Sequence, residues 1–198
     1  MAGPLNKILK FVGLFAAGAY TIDVLIRPAL TAKTARRVAD TRGKPLLNVG
    51  AGTPKSSLRA YLFGPTTWGD VNLDLAAEDA CRIPAMAEDP SRVCQGDAHT
   101  LPYGDKEFGA LIASHVLEHL DDPLAALAEW ERVADEVFVI VPPWWAPHTW
   151  LHPGHKWFFA GTQEKGLLGH RLWQRRPQGY VLRQIFDEGQ DHAPETQW

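Results

Sequence analysis

The hydrophobic pattern begins with a long apolar stretch near the amino terminus. Residues 8–26, nineteen in number, are apolar on nearly every helical face, and Lys10 and Asp23 are the charged interruptions. A helix that is apolar on all sides is expected to be covered by protein or by lipid, and its length approaches that of a membrane span. Asp23 is placed to pair with Arg27 one helical turn later. Three interpretations stay open: a membrane anchor or interfacial helix, a helix packed on the domain or on an oligomer partner, and a cleaved signal peptide.

Five short apolar runs follow, and most of them end in a small or acidic residue. They alternate with polar and helical segments, of which residues 121–133 have the clearest helix start, because Asp-Asp-Pro precedes an apolar face. Strands that alternate with helices predict an α/β fold with a doubly wound, mostly parallel sheet. The runs are Leu46–Val49, Val71–Asp74, Arg92–Ala98, Phe108–Ala113 and Val137–Val141.

The first run ends at a glycine-rich turn, Gly-Ala-Gly at residues 50–52, and Thr53 and Pro54 are suited to begin a helix there. Glycines let the backbone approach a ligand closely, and a helix start offers N–H groups to an anion. A P-loop is excluded because no Gly-Lys-Ser/Thr follows the turn. The NAD fingerprint fails because Ser57 stands where its last glycine belongs.

Two acids and one histidine stand at the ends of later runs. Asp74 ends the second run, 22 residues after Gly52, where a carboxylate can accept hydrogen bonds from ribose hydroxyls. Asp97 ends the third run, and His115 follows the fourth. Open α/β sheets bind ligands at the edge formed by the carboxyl ends of their strands. These side chains and the glycine turn are therefore predicted to share one site.

The segment after the fifth run, residues 142–159, is rich in aromatic residues and histidines. It is interpreted either as the aromatic wall of a substrate pocket or as a packing face for the N-terminal helix. No metal site is predicted, because residues 153–154, Pro-Gly, interrupt a regular helical face and no cysteine or acid joins the histidines as a fourth ligand. The tryptophans and histidines are Trp144, Trp145, His148, Trp150, His152, His155 and Trp157.

Two alternating runs near the carboxyl terminus predict a β-hairpin. Residues 171–176 and 180–186 flank a Pro-Gln-Gly turn, which is typical of two strands that fold back on each other. The final twelve residues, 187–198, are expected to be loose.

Charge is distributed unevenly along the 198 residues, whose net charge is −3. Residues 1–45 carry eight basic and two acidic side chains, which gives +6, and residues 46–165 carry eight basic and seventeen acidic ones, which gives −9. The negative charge of residues 46–165 argues against nucleic-acid binding. The positive charge of residues 1–45 favours binding to an acidic membrane surface or to a partner. Two cysteines, Cys81 and Cys94, make no disulfide framework, so a reduced, cytoplasmic setting is the default expectation.

With these pieces in order, the chain resembles the class I S-adenosylmethionine (SAM) dependent methyltransferases, especially methyltransferase type 11. The most specific part is GDAHTLPYGDKEFGALIASHVLEHLDDP, residues 96–123. Asn48 and Pro54 depart from that family, which usually has an acid and a third glycine there. The resemblance implies a Rossmann-like, seven-stranded, mostly parallel sheet with an antiparallel last strand over residues 45–198. Residues 1–44 would be a separate apolar helix and basic linker.

The resemblance also implies a set of site residues. SAM would be the cofactor, and His115 would face the methyl group and act as the base, since an imidazole titrates near neutral pH. His119 is given a structural role. Substrate contacts would come from Trp144, Trp145, His148 and His152. The cofactor-binding residues would be Asn48, Gly50, Ala51, Gly52, Asp74, Leu75, Asp97, Ala98 and Ser114.

The expected function is methyl transfer from SAM to a small-molecule or lipid-like acceptor. The alternative is a binding or scaffold protein that keeps the fold without turnover, and an NAD-dependent oxidoreductase ranks last because the glycine spacing fails. No nucleic-acid partner is expected. A membrane surface or an oligomer partner is expected to bind through residues 5–30, with the protein in the cytoplasm and associated with the membrane through its N-terminal helix.

Overall fold

The computed structural model describes residues 4–53, 65–77, 93–143, 145–160, 171–176, 179–184 and 196–197. The chain forms two compact units. One consists of Met1–Ala29 together with Val141–Trp198, and the other of Leu30–Ile140. The division at residue 45 that the sequence indicates stays a prediction.

A long helix occupies the amino-terminal part of the chain. Helix α1 spans Pro4–Thr21, a π-helical turn spans Ile22–Ile26, and helix α2 spans Arg27–Arg42. By length and composition the helix from Ile8 to Arg42 could cross a membrane, and only 11% of its most apolar window is buried. A π-turn within a helix often marks a functional position, and this one contains the buried Asp23.

Helix α2 packs on the second unit's sheet through small residues. Ala32, Ala35 and Ala39 share one helical face and are buried in a core with strand residues such as Leu46 and Ile112. The close approach requires a glycine, because a Cβ added to Gly109 would lie 2.9 Å from the Cα of Ala39. These contacts bring α2 against the sheet without large side chains between them.

Five parallel strands form the sheet of this unit, as the apolar runs predict. Their order is β3-β2-β1-β4-β5, and β1 and β2 are completely buried. In the register, Val49 lies beside both Leu73 and Ala113, so the carboxyl ends of the three central strands meet at one edge. The strands are β1 Leu46–Val49, β2 Val71–Asp74, β3 Cys94–Gln95, β4 Ala110–Ser114 and β5 Val137–Ile140.

Strands near the carboxyl terminus form a second, antiparallel sheet, so the expected seven-stranded sheet is not confirmed. The predicted hairpin is confirmed, and among the described residues its strands pair with β6 and β9 in the order β9-β8-β7-β6 and not with the parallel sheet. Only ten residues separate β6 from β7, and a parallel crossover needs a dozen or more. The last residues, expected to be loose, contribute β9. The strands are β6 Trp157–Ala160, β7 Arg171–Arg176, β8 Gly179–Gln184 and β9 Thr196–Gln197.

The remaining described helices are short. Helix α3 spans Pro123–Val133 and begins as predicted, with the Asp122 carboxylate accepting hydrogen bonds from the amides of Leu124 and Ala125. Helix α4 spans Pro147–Leu151, and a 3₁₀ turn spans Leu117–His119. Cys94, at the start of β3, is disulfide-bonded, so the expectation of reduced cysteines is not met there.

Candidate active site

The turn after β1 has a backbone conformation that requires glycine. Gly50 and Gly52 have φ of +74° and +79°, in the left-handed region. A Cβ on Gly50 would also clash with the side chain of Val116. The amides of Gly50 and Ala51 both donate to the carbonyl oxygen of Leu73, at 2.8 and 2.9 Å. The turn is therefore tied to the end of β2.

Asp74 lies at the end of β2, directly beside this turn. Its Oδ2 accepts a hydrogen bond from the Gly52 amide at 2.9 Å, and its Oδ1 accepts one from the Ala76 amide at 2.9 Å. A carboxylate has about four lone-pair positions, so both oxygens keep the capacity to accept further bonds. The next residue, Leu75, is 67% exposed. Asp74 is thus a fixed acceptor at the carboxyl edge of the sheet.

Asp97 follows β3, the neighbour of β2. Its Oδ1 accepts hydrogen bonds from the His99 amide at 2.9 Å and from the His99 ring at 3.0 Å, and these bonds, the amide's above all, hold the pKa of Asp97 below its usual value. The side chain is 54% exposed, and Oδ2 makes no hydrogen bond to any residue that the structure describes. Ala98 is buried, and its carbonyl oxygen accepts a bond from the Trp130 indole.

Asn48 supports the sheet from within. It is 1% exposed, and its amide nitrogen donates to the Asn72 side chain at 3.0 Å and to the Thr66 carbonyl oxygen. Asn72 in turn bonds both the amide and the carbonyl of Gly69, each at 3.0 Å. Both amide hydrogens of Asn48 are thus used inside the protein, and only its oxygen remains for the cofactor contact that the resemblance implies.

His115 and His119 flank a buried acid that the sequence reasoning missed. Glu118 is fully buried, with one oxygen 3.4 Å from His115 Nδ1 and 4.0 Å from His119 Nε2. Burial raises the pKa of Glu118, whereas the hydrogen bond from His115 and the charges of both histidines lower it. Together the lowering effects are larger, so the pKa lies below its usual value. The His-x-x-Glu-His spacing is the signal that a sequence reading could have used.

His115 directly follows β4, as predicted, and its backbone is strained. Its φ is +56°, a conformation that costs roughly 1–2 kcal/mol for a residue with a Cβ. The His115 amide donates to the Ile140 carbonyl oxygen at 2.8 Å, which ties it to the end of β5. Strain of this kind persists where the surroundings fix the residue, and it concentrates at functional sites. Ser114, the last residue of β4, pairs with Ile140 in the register.

The predicted substrate residues lie in the other compact unit. His148 Nε2 is 2.9 Å from the buried Asp23 carboxylate, and Trp145 packs against Phe15 with ring centroids 6.1 Å apart. Of the two interpretations of this segment, these contacts favour the packing face for the N-terminal helix. His152 is exposed, and its ring stacks on that of His155. Trp144, Pro54 and Ser57 lie outside the described residues.

Comparisons with known proteins identify the part of the chain that carries this edge. Residues 47–136 match a family model described as a methyltransferase domain. No curated protein matches the chain. Among solved structures, a SAM-dependent methyltransferase from Thermotoga maritima matches with 20% identity and a TM-score of 0.30, over 59% of this chain and 54% of that one. The match therefore spans about half of that protein's length.

The matched residues begin in β1 and end just before β5, so they contain the glycine turn, Asp74, Asp97 and His115. The match to a methyltransferase domain over residues 47–136 supports the resemblance to the class I SAM-dependent methyltransferases.

Proposed function

We propose that the protein transfers the methyl group of SAM to a small-molecule or lipid-like acceptor. The observation that carries the proposal is the Asp74 carboxylate, which the Gly52 amide holds beside the glycine turn at the carboxyl edge of the parallel sheet. Ligands of open α/β sheets bind at this edge. The family match over residues 47–136 supports methyl transfer as the chemistry.

The residues at this edge fit SAM. The two carboxylate oxygens of Asp74 suit two ribose hydroxyls, and the exposed Leu75 offers an apolar surface for a base. Oδ2 of Asp97, which bonds to none of the described residues, suits an exocyclic amino group. The left-handed glycines let the backbone approach the methionine end closely. When bound, SAM supplies a methyl carbon that its sulfonium already activates.

His115 is the proposed base, and Glu118 is proposed to position it. The ionised Glu118 lies 3.4 Å from His115 Nδ1, so its charge favours a proton on that nitrogen and fixes the orientation of the imidazole that takes the acceptor's proton. The buried carboxylate would also stabilise the imidazolium that forms. Glu118 therefore acts through His115 and needs no contact with the acceptor.

Titration calorimetry with SAM tests the cofactor site. We expect Asp97→Ala to weaken SAM binding at least tenfold, because the variant loses a charged acceptor, and hydrogen bonds to charged groups contribute about 1.5–3 kcal/mol. Asp105→Ala is the matched control, since Asp105 is an exposed acid whose contact is with Arg132. Equal affinities of wild type and Asp97→Ala would remove Asp97 from the site.

A scaffold without turnover is the second candidate, and Asn48 is the observation that favours it. The family usually has an acid at this position, whereas the neutral amide of Asn48 braces β1 against Asn72 and Thr66. Calorimetry separates the two functions. No binding at millimolar SAM favours the scaffold, whereas binding followed by release of S-adenosylhomocysteine with an acceptor favours the enzyme.

The cytoplasmic, membrane-associated location that the sequence indicates is part of the proposal. An apolar acceptor dissolved in a membrane would suit an enzyme whose N-terminal helix exposes large hydrophobic side chains. Fractionation of cells that express the full chain tests the location, with recovery in the membrane pellet as the expected result.

A further inference from the structure

Large apolar side chains are exposed around the first half of helix α1. Phe11 is 71% exposed and Leu14 is 75% exposed. At about 100° per residue, six such side chains within one eight-residue stretch point over more than half of the helix circumference. A protein groove covers one stripe of a helix, whereas hydrocarbon covers every side. The six are Ile8, Leu9, Phe11, Val12, Leu14 and Phe15.

Farther along the same unit, one side of the helix is covered and the other stays apolar and exposed. Ala19 and Asp23 are buried, with His148 in contact with Asp23. Ile22 and Ile26 remain about half exposed, and from helix α4 and the loop before it Leu151 and Trp145 are 78% and 52% exposed. The apolar exposure is thus too broad for a single stray side chain, and patches of this kind mark interaction sites.

Asp23, the one acid of positions 8–26, is shielded by neighbouring protein groups. Asp23 is 2% exposed, and its carboxylate receives the Arg27 guanidinium at 2.6 Å and the His148 ring at 2.9 Å. An unpaired carboxylate at a bilayer centre is strongly unfavourable. Because protein groups surround Asp23, the exposed surface presents no acidic side chain between residues 8 and 30.

Basic residues border the apolar stretch in the sequence. Lys10 is exposed within it, and Lys33 and Arg37 are exposed one turn apart on α2. The first 45 residues carry a net charge of +6, from eight basic and two acidic side chains. Basic residues next to an apolar helix attract anionic lipid headgroups. Trp145 belongs to the residue type that is enriched at membrane interfaces.

We propose that the exposed apolar residues of positions 8–26, together with Trp145 and Leu151, form a surface that binds a lipid bilayer. The contacts of Asp23 with Arg27 and His148 keep the single acid of positions 8–26 away from the lipid. Lys10, which is exposed within this stretch, adds a preference for anionic headgroups. This inference is independent of the methyltransferase chemistry, because none of these residues belongs to the proposed cofactor site.

Flotation of the full chain with phosphatidylcholine vesicles, with and without phosphatidylglycerol, tests the surface. We expect the wild type to float with both and better with phosphatidylglycerol, and the double variant Phe11→Glu/Leu14→Glu to lose at least tenfold of its vesicle-bound fraction. The matched control is Leu124→Glu, an apolar-to-acid change on the exposed side of α3, which should float like the wild type. Lys10→Gln should reduce the preference for phosphatidylglycerol and leave flotation with phosphatidylcholine unchanged.

Three results would overturn the proposal. The first is no recovery of the wild type with either vesicle. The second is flotation of the Phe11→Glu/Leu14→Glu variant equal to that of the wild type. The third is a stable wild-type dimer that this variant breaks, without any flotation. The last result would assign the surface to a second copy of the chain. Circular dichroism confirms that the variants fold. SAM calorimetry on the same proteins reports separately on the cofactor site.

Discussion

At the scale of single residues, Glu118 is the group whose charge the fold depends on most directly. It is completely buried, and its folded pKa lies below the ordinary value of about 4.3. An acid with a depressed folded pKa adds stability at pH values above its unfolded pKa and loses that contribution as the pH falls through its folded pKa. We therefore expect the free energy of unfolding to fall in the acid range below about pH 4.3 partly because of Glu118.

The variant Glu118→Gln tests this expectation. Gln keeps the size of the side chain but removes the charge beside two histidines, so the variant should be about 2 kcal/mol less stable at pH 7. Its stability should also fall less steeply than that of the wild type as the pH is lowered. Urea unfolding at a series of pH values measures both effects, and parallel pH profiles of the two proteins would contradict them.

The glycine turn makes a second prediction at this scale. Gly50→Ala should be more destabilising than Gly43→Ala, although both glycines have a positive φ. Gly43, with φ +63°, has nothing within 4 Å of an added Cβ, whereas Gly50 faces Val116. Backbone strain alone costs about 1–2 kcal/mol, and overpacking adds about 1–3 kcal/mol at Gly50.

Urea unfolding of the two single variants and of Gly50→Ala/Val116→Ala measures the difference. Removal of the Val116 methyl groups should relieve the clash, so the double variant should be more stable than the sum of its two single changes predicts. Equal losses for Gly43→Ala and Gly50→Ala would show that the contact with Val116 contributes nothing.

Single residues also mark where prediction from sequence ends. Asp74 and Asp97 could be predicted as site candidates because both stand at the ends of predicted strands, and parallel strands bring their ends to one edge. Glu118 was not found, because an acid is expected on the surface and its burial depends on how residues 115–119 fold. The bracing role of Asn48 was missed for a similar reason, since Asn72 and Thr66 are remote in sequence.

At the scale of elements, the π-helical turn Ile22–Ile26 and helix α4 are joined through Asp23. The predicted ion pair with Arg27 is confirmed, and the contact with His148 adds a long-range bond that the sequence did not reveal. In Asp23→Ala the His148 ring loses its carboxylate partner and Arg27 loses its ion pair. His148→Ala should be less destabilising than Asp23→Ala, because Asp23 then keeps its ion pair with Arg27.

Hydrogen exchange of residues 141–151 measures this coupling. Asp23→Ala should raise exchange there by at least tenfold, with a smaller rise in His148→Ala. Thr21→Ala is the control, because the Thr21 hydroxyl bonds only to Ala17 of its own helix. Unchanged exchange in Asp23→Ala would mean that the helices are held together by other contacts.

The elements themselves were predictable where the pattern was local. Each described strand of the parallel sheet coincides with an apolar run, and Asp122 caps α3 where the sequence indicated a helix start. The second sheet could not be predicted, because alternating runs predict that two strands form a hairpin but do not predict which sheet the hairpin joins. The short link between β6 and β7 is the feature that favours antiparallel pairing.

At the scale of the whole molecule, two features are each proposed to bind a partner outside the chain. The carboxyl edge of the parallel sheet presents carboxylates and left-handed glycines, and the N-terminal helix presents apolar side chains over most of its circumference. SAM is the ligand proposed for the first feature, and a lipid bilayer is proposed for the second. An enzyme that rests on a membrane would meet its acceptor in two dimensions, which suits an apolar substrate.

The central claim is that Asp74 and the glycine turn bind SAM, and titration calorimetry of Asp74→Asn against the wild type tests it most directly. The wild type should bind SAM with an affinity at least tenfold higher than that of the variant, because the amide lacks the charge and one acceptor of the carboxylate. The Asp105→Asn control should bind like the wild type. No heat of binding from the wild type at millimolar SAM, or equal affinity of Asp74→Asn, would contradict the account.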